Sequence, residues 1–354
     1  MDSADNLAIG RNTSENLLAS LLGSEYGSSV TVSNQLSIST NPYSLPNQVS
    51  ATRVGQPSML SDYDLSRIRQ WTSIAPPVLE RCVHTIFSEQ AHLRPDAPAI
   101  SAWDGELTYR DLGELSSRIA ISLISIAVRP QMIVALCLDK SMWAIVAMLS
   151  VMKAGAACVN LGPDQPFNRL ESIVRISKVG IILTAPSRAN IAYRLAPKVV
   201  VIEREFVELL APSTTVVEDL PLISSDSVAY VLFTSGSTGN PKGIVIEHGS
   251  LSTSSEAHGS VWKVGPGTRV LQFPAYTFDV SVADVFTTIT RDGCICVPSE
   301  PERVENLGEA IRRMGANCAF LTPSVAHLLR PALAPTLKTL VLGGEAVARQ
   351  NLIE

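Results

Sequence analysis

The sequence predicts an α/β protein with mostly parallel sheets covered by helices, and three observations lead there. Apolar runs of strand length alternate with segments of helical periodicity over most of the chain. Ile133–Leu138, Trp143–Lys153 and Ala156–Leu161 follow one another as strand, helix and strand, the βαβ order that parallel pairing needs. Of 354 residues, 46% are hydrophobic and 17% charged, enough apolar material for a sizeable buried core.

Residues 1–60 are rich in Ser, Asn, Thr and Gly, with apolar periodicity only in the short stretch 16–22. Such a segment cannot bury enough surface to offset chain entropy, and a disordered tail is expected. A linker is expected over 61–82, with order beginning near Leu65 and the Pro76-Pro77 pair stopping any helix. The main domain then runs over 83–354. Beyond the first βαβ unit, strands are expected at 179–183, 198–202, 228–234, 269–273, 319–321 and 339–342, with Cys294 and Cys296 alternating along another. Helices are expected at 109–127, 167–177, 282–290 and 307–314, and no internal repeat is visible.

Composition excludes several function classes. A net charge of -5 with no dense basic run argues against a nucleic-acid partner and gives no pull toward anionic lipid. The opening Met-Asp-Ser-Ala-Asp lacks the basic start and apolar stretch of a secretory signal, and the apolar run 144–152 is too short to span a bilayer. A cytoplasmic location without membrane contact is expected. The six cysteines (Cys82, Cys137, Cys158, Cys294, Cys296, Cys318) stand among apolar neighbours without a CxxC pair, so core thiols are expected rather than a metal site. His84, His92, His248, His258 and His327 have no Ser, Cys or carboxylate partner at an interpretable spacing and are taken as packing or surface residues.

The most informative segment is 230–243, Tyr-Val-Leu-Phe-Thr-Ser-Gly-Ser-Thr-Gly-Asn-Pro-Lys-Gly, a buried strand running into a loop of hydroxyl and glycine residues that ends in a lysine. It has the parts of a polyphosphate cradle. Gly236, Gly239 and Gly243 let backbone N–H groups approach an anion. Thr234, Ser235, Ser237 and Thr238 add hydroxyl donors, and Lys242 adds positive charge. Pro241 before the lysine and Gly243 after it rule out the Walker A pattern, and Phe233 rules out a nucleophile elbow centred on Ser235.

This loop resembles the phosphate loop of the adenylate-forming superfamily, and four further stretches resemble that family in the right order. Leu107-Thr108-Tyr109-Arg110-Asp111-Leu112 is similar to its first core motif. Residues 152–166 with Arg169 are similar to the second, although Cys158 stands for the usual aromatic and Asn160-Leu161-Gly162 for the usual Pro-Leu-Asp. Phe273–Val282, which includes Phe278-Asp279-Val280-Ser281, resembles the motif that separates amino-acid-activating members from fatty-acid and aryl relatives. Leu340-Val341-Leu342-Gly343-Gly344-Glu345 resembles the strand and turn against which adenylate and substrate press. The stretch from Trp71 to His84 resembles the linker ahead of adenylation domains in fungal nonribosomal peptide synthetases.

The resemblance implies ATP-dependent activation of an amino acid as its adenylate, then loading onto the phosphopantetheine thiol of a carrier protein beside condensation domains, with Mg²⁺ and ATP as the groups used. It assigns Thr234, Ser235, Gly236, Ser237, Thr238, Gly239, Lys242, Gly343, Gly344 and Glu345 to the nucleotide. Asp279 would hold the substrate ammonium, and Val280, Ala283, Phe320, Val341 and Gly343 would line its side-chain pocket. Their apolar or small character suits a hydrophobic or aromatic amino acid. A carboxylate at an apolar pocket is costly to desolvate unless a cation pairs with it; the alternative reading of Asp279 is a helix N-cap.

The Asn-x-Tyr-Gly-Pro-Thr-Glu segment, the ribose-binding Asp and the catalytic Lys of the family do not occur in this sequence. A truncated adenylation domain, inactive alone and with no catalytic residue of its own, is therefore expected. Two alternatives stay open: a degenerate relative that binds a nucleotide or a partner without catalysis, and an acyl- or aryl-CoA ligase relative.

Overall fold

The computed structural model describes residues 61–73, 77–210, 220–235 and 240–347, together with the backbone of Leu7 and Ala8. The chain divides into two units, one of residues 24–76 and one of residues 1–23 with 77–354. In the smaller unit the described residues form a helix, Asp62–Thr72, and none of them is buried. Ser61 caps it by accepting the Asp64 N–H at 3.1 Å, and the Arg67 guanidinium lies 4.9 Å from the centre of the Trp71 ring. We call this helix α1.

In the larger unit two sheets carry the fold. The first has the strand order β1 (Leu7–Ala8), β9 (Pro241–Glu247), β8 (Val228–Ser235), β5 (Ala157–Asn160), β4 (Ile133–Cys137), β6 (Ile181–Thr184), β7 (Lys198–Val201). Every neighbouring pair is parallel except β8 and β9. The second has the order β13 (Thr339–Leu342), β12 (Cys318–Leu321), β10 (Arg269–Leu271), β11 (Cys294–Val297), β2 (Pro98–Ala102), β3 (Gly105–Thr108), antiparallel only between β2 and β3. The helices are α2 (Val83–Leu93), α3 (Tyr109–Ser125), α4 (Met142–Lys153), α5 (Phe167–Ile176), α6 (Ala189–Leu195), α7 (Arg204–Leu209), α8 (His248–Trp262), α9 (Asp279–Ile289), α10 (Glu300–Glu305), α11 (Leu307–Met314) and α12 (Pro323–Leu328).

The α/β architecture with two mostly parallel sheets is the one expected from the alternation of apolar runs. The strand Leu7–Ala8 falls in the segment expected as a tail, whose other residues lie outside those described. The expected strands and helices of the main domain are present within a few residues of their expected ends. In the main domain the β2–β3 hairpin, β9 and helices α2, α6, α7, α8, α10 and α12 were not anticipated.

Local chemistry explains how the elements start. Thr108 ends β3 and opens α3 with a capping box: its hydroxyl accepts the Asp111 N–H at 3.1 Å, and the Asp111 carboxylate accepts the Thr108 N–H at 2.9 Å. The next residue, Tyr109, is fully buried and its hydroxyl donates to the Gly293 carbonyl at 2.9 Å, tying α3 to the turn before β11. The first-motif residues are thus a strand-to-helix joint. Helix α4 is apolar around its whole circumference because it contacts strands of both sheets, and 11 of its 12 residues are buried, Trp143 being half-buried.

The last residue of α4, Lys153, is an exception inside that core. Its ammonium donates to the Gly113 carbonyl at 2.9 Å and the Ser117 hydroxyl at 3.0 Å, and lies 5.4 Å from the Phe87 ring centre. Burial without a carboxylate lowers its pKa to about 7. Below that pH both folded and unfolded chains carry the charge, and the cost of burying it is complete. Between about 7 and the unfolded value of about 10.4, the unfolded chain binds more protons, so stability rises with pH. Replacing Lys153 by Met should therefore help most below pH 7, with the advantage shrinking by up to about 1.4 kcal/mol per unit as pH rises toward 10. Urea unfolding of both proteins at several pH values measures this, and a pH-independent difference would contradict it.

Candidate functional site

Strands β8 and β9 form an antiparallel hairpin in which Thr234 faces Lys242 and Ser235 faces Pro241. The hydroxyl- and glycine-rich loop is therefore the turn of this hairpin, at the end of β8. Gly236, Ser237, Thr238 and Gly239 lie outside the described residues. Thr234, Ser235 and Lys242 are exposed. Lys242 takes part in none of the ion pairs among the described residues, so its charge is available to an anion.

The other half of the site is built on the second sheet. Asp279 opens α9 in its first turn, half-buried, with its carboxylate accepting the Val280 N–H at 2.8 Å. The residue in the N-cap position is Phe278, which makes no side-chain cap bond, so Asp279 stands just inside the helix rather than at its cap. There the helix dipole favours its negative charge. Val280 and Ala283, on one face of the same helix, join a cluster formed by Trp262, Val264, Val270, Cys318 and Phe320, with Val341 against it.

Glycine is required beneath the Phe320 ring. A Cβ on Gly343 would come within 2.5 Å of the Phe320 ring tip, so only the bare backbone fits. All five residues expected to line a side-chain pocket thus come together from α9, β12, β13 and the turn that follows. Gly344 adopts a left-handed backbone (φ 81°), the conformation glycine permits. The Glu345 carboxylate accepts the backbone N–H of Ser324 at 3.0 Å and its hydroxyl at 2.5 Å, which lowers its pKa; these bonds fix the turn to the start of α12.

Two aromatic neighbours were missed by sequence reasoning. Trp262, at the end of α8, lies 6.2 Å from Phe320, and His258, one turn earlier, stacks on Trp262 at 5.1 Å with an 8° interplanar angle. Burial lowers the His258 pKa, opposed by the negative charge of Asp279. Their spacing of four places them on one helix face, a signal masked by the Gly- and Ser-rich sequence around them.

Behind the site, Asn160 of β5 donates to the Tyr230 hydroxyl at 2.5 Å and to the Tyr276 carbonyl at 3.0 Å, while the Tyr230 hydroxyl donates to the same carbonyl at 2.8 Å. Tyr230 is four residues before Thr234, and Tyr276 three residues before Asp279. A cavity of about 330 Å³ opens on the other side of the loop 275–278, against Leu138–Lys140 and Leu161–Gln165. It contains none of the Trp262–Phe320 cluster, and its rim carboxylates Asp139 and Asp164 are both paired with Arg188 at 2.8 and 3.0 Å.

A family model described as "AMP-binding enzyme" matches residues 87–352. The chain is 46% identical over 303 residues to the nonribosomal peptide synthetase atnA of Emericella nidulans, and 44% identical over 298 residues to the nonribosomal peptide synthetase TES of Alternaria alternata. These matches cover 85% and 84% of this chain but only 4% and 6% of those synthetases. The fold is similar to that of FmoA3, a nonribosomal peptide synthetase, with a TM-score of 0.72 and 24% identity over 82% of this chain and 32% of that one. It is also similar to the N-terminal subdomain of Klebsiella oxytoca NpsA, with a TM-score of 0.67 and 22% identity over 77% of this chain and 70% of that one. The chain therefore belongs to the AMP-binding enzyme family, as an adenylate-forming domain of the nonribosomal-peptide-synthetase type.

Proposed function

We propose that this domain activates a hydrophobic or aromatic amino acid, its carboxylate attacking the α-phosphate of ATP to give the aminoacyl adenylate and pyrophosphate. The aminoacyl group then passes to the phosphopantetheine thiol of a carrier protein, within a synthetase that also has condensation domains. The observation that carries the reading is the convergence of Val280, Ala283, Phe320, Val341 and Gly343 beside Asp279, with Trp262 beneath them.

The chemistry follows from placement. Asp279 accepts the ammonium group at the mouth of an apolar pocket, where a paired charge is stabilised and an unpaired one is costly. The hydroxyls of Thr234, Ser235, Ser237 and Thr238, the N–H groups of Gly236 and Gly239, and Lys242 hold the phosphates and stabilise the departing pyrophosphate. Gly343 and Gly344 let the adenylate approach the backbone, with Glu345 fixing that turn. Thr234 and Ser235 offer the hard oxygen donors that suit Mg²⁺, which when bound screens charge on the leaving group. The domain's own contribution is positioning and charge stabilisation rather than covalent catalysis.

In a domain that carries these residues with a complete C-terminal region, Asp279→Ala and Asp279→Asn should each lower amino-acid-dependent pyrophosphate exchange by roughly 10²–10⁴-fold, with ATP affinity nearly unchanged. Normal exchange by Asp279→Asn would remove Asp279 from the substrate site. Gly343→Ala should push the Phe320 ring into the pocket, costing about 1–3 kcal/mol of stability and shifting preference toward smaller side chains. A melting curve and an exchange assay over a panel of amino acids test this; an unshifted preference would place the pocket elsewhere.

A further inference from the structure

Away from the site, Cys82, His84 and His248 meet inside the protein. Cys82 holds the N-cap position of α2 and is 6% exposed; His84 lies in the first turn of that helix, and His248, the first residue of α8, is fully buried. The Cys82 sulfur and one ring nitrogen from each histidine all lie within 4.8 Å of one another. The two rings meet edge to face, with centroids 5.1 Å apart. We propose that these three side chains form a binding site for a zinc-class divalent cation.

The second observation is hydrogen bonding. Neither ring nitrogen of His248 has a partner, and the buried Nδ1 of His84 has none either. A neutral imidazole has one N–H donor and one lone pair, so His248 hides both without compensation, an expensive arrangement in a fully buried residue. A cation bound to a lone pair removes half of that deficit at each ring. A neutral imidazole presents that lone pair to a cation directly.

A thiolate and two imidazoles suit zinc, whose usual ligands are sulfur and nitrogen in a tetrahedron. The carbonyl oxygens of Ile223 and Ser224 lie 3.4 and 3.5 Å from the Cys82 sulfur and offer an oxygen for the fourth position. Bonds of about 2.0–2.3 Å require ligand atoms roughly 3.4–3.6 Å apart, so the side chains must close by about 1 Å. On binding, the thiol proton leaves to solvent and the sulfur binds as thiolate. The thiolate and the nearby Asp226 carboxylate together offset the two charges of the cation, with the Lys153 ammonium also near His84.

Position suggests what the site does. The Leu79 N–H donates to the Thr253 hydroxyl at 2.9 Å, the Ser252 hydroxyl donates to the Arg81 carbonyl at 2.7 Å, and the His248 N–H donates to the Ser227 carbonyl at 2.9 Å. The segment 79–84 is thereby laid on α8 and the strand start at 227–228. A cation would lock that junction, at the end of the β9 strand that begins with Pro241 and Lys242.

The test uses the whole chain, stripped with a chelator and titrated with Zn²⁺ against a chromophoric competitor. One tightly bound zinc per chain is expected, with a raised Tm. X-ray absorption of the zinc-loaded chain should report one sulfur at about 2.3 Å and two nitrogens at about 2.0–2.1 Å. His248→Gln should weaken binding at least 100-fold. Absorption spectroscopy on the unmodified chain decides the matter even if that variant does not fold. Absence of a stoichiometric zinc, a coordination shell without sulfur, or a shell with two sulfurs, which would point to Cys294 and Cys296, overturns the proposal.

Discussion

The site depends on one hydrogen-bonded knot, in which the buried Asn160, Tyr230 and Tyr276 carbonyl bind one another. Each comes from a different part of the chain: Asn160 ends β5, Tyr230 lies in β8, and Tyr276 belongs to the loop between β10 and α9. β8 leads to the hydroxyl loop and the 276 loop leads to Asp279. The knot therefore sets where the end of β8 and Asp279 stand relative to each other. A single amide bonded to both partners gives little freedom, since an unmet polar group there would cost about 1–3 kcal/mol.

A second tie acts on the same loop. The Lys140 ammonium, just after β4, donates to the carbonyls of Gln272 at 3.2 Å and Pro274 at 2.7 Å, and to the Gln272 side-chain oxygen at 2.5 Å. Burial lowers its pKa to about 7. Near it Asp284 is fully buried with neither carboxylate oxygen hydrogen-bonded, and burial raises its pKa well above the usual carboxylate range, opposed by the Lys140 charge. The loop ahead of Asp279 is thus held by the first sheet from two sides, through β4 and through β5 with β8. Positioning chemistry of the adenylate-forming kind requires such rigidity, because the reaction gains mainly from holding carboxylate and phosphate together.

Much of this was legible in the sequence. The alternation of apolar runs pointed to mostly parallel sheets because central parallel strands are buried on both faces. The helix after Asp279 was readable from 282 onward, three residues later than its start at Asp279, and the glycines after β13 as a close approach. Other parts were hidden. β9 was absorbed into the loop reading, although Ile244, Val245 and Ile246 are three β-branched residues in succession. α8 contains five Ser, a Thr and two Gly residues, poor helix formers, and is held by the packing of Leu251 and Trp262 rather than by propensity. Asn160 looked like a departure from a scaffold motif. Its partners lie 70 and 116 residues away, and no local pattern encodes such a contact.

The central claim is that the Trp262–Phe320 pocket takes a hydrophobic side chain while Asp279 takes the ammonium group beside it. Pyrophosphate exchange by the domain completed with its C-terminal region, comparing a panel of hydrophobic amino acids with their des-amino carboxylic acids, tests it most directly. The account predicts exchange with one or more of the amino acids and a loss of at least 100-fold for the matching acids, because these lack the ammonium group that the Asp279 carboxylate binds. Equal or faster exchange with the des-amino acids would contradict it and identify an acyl- or aryl-acid-activating enzyme instead.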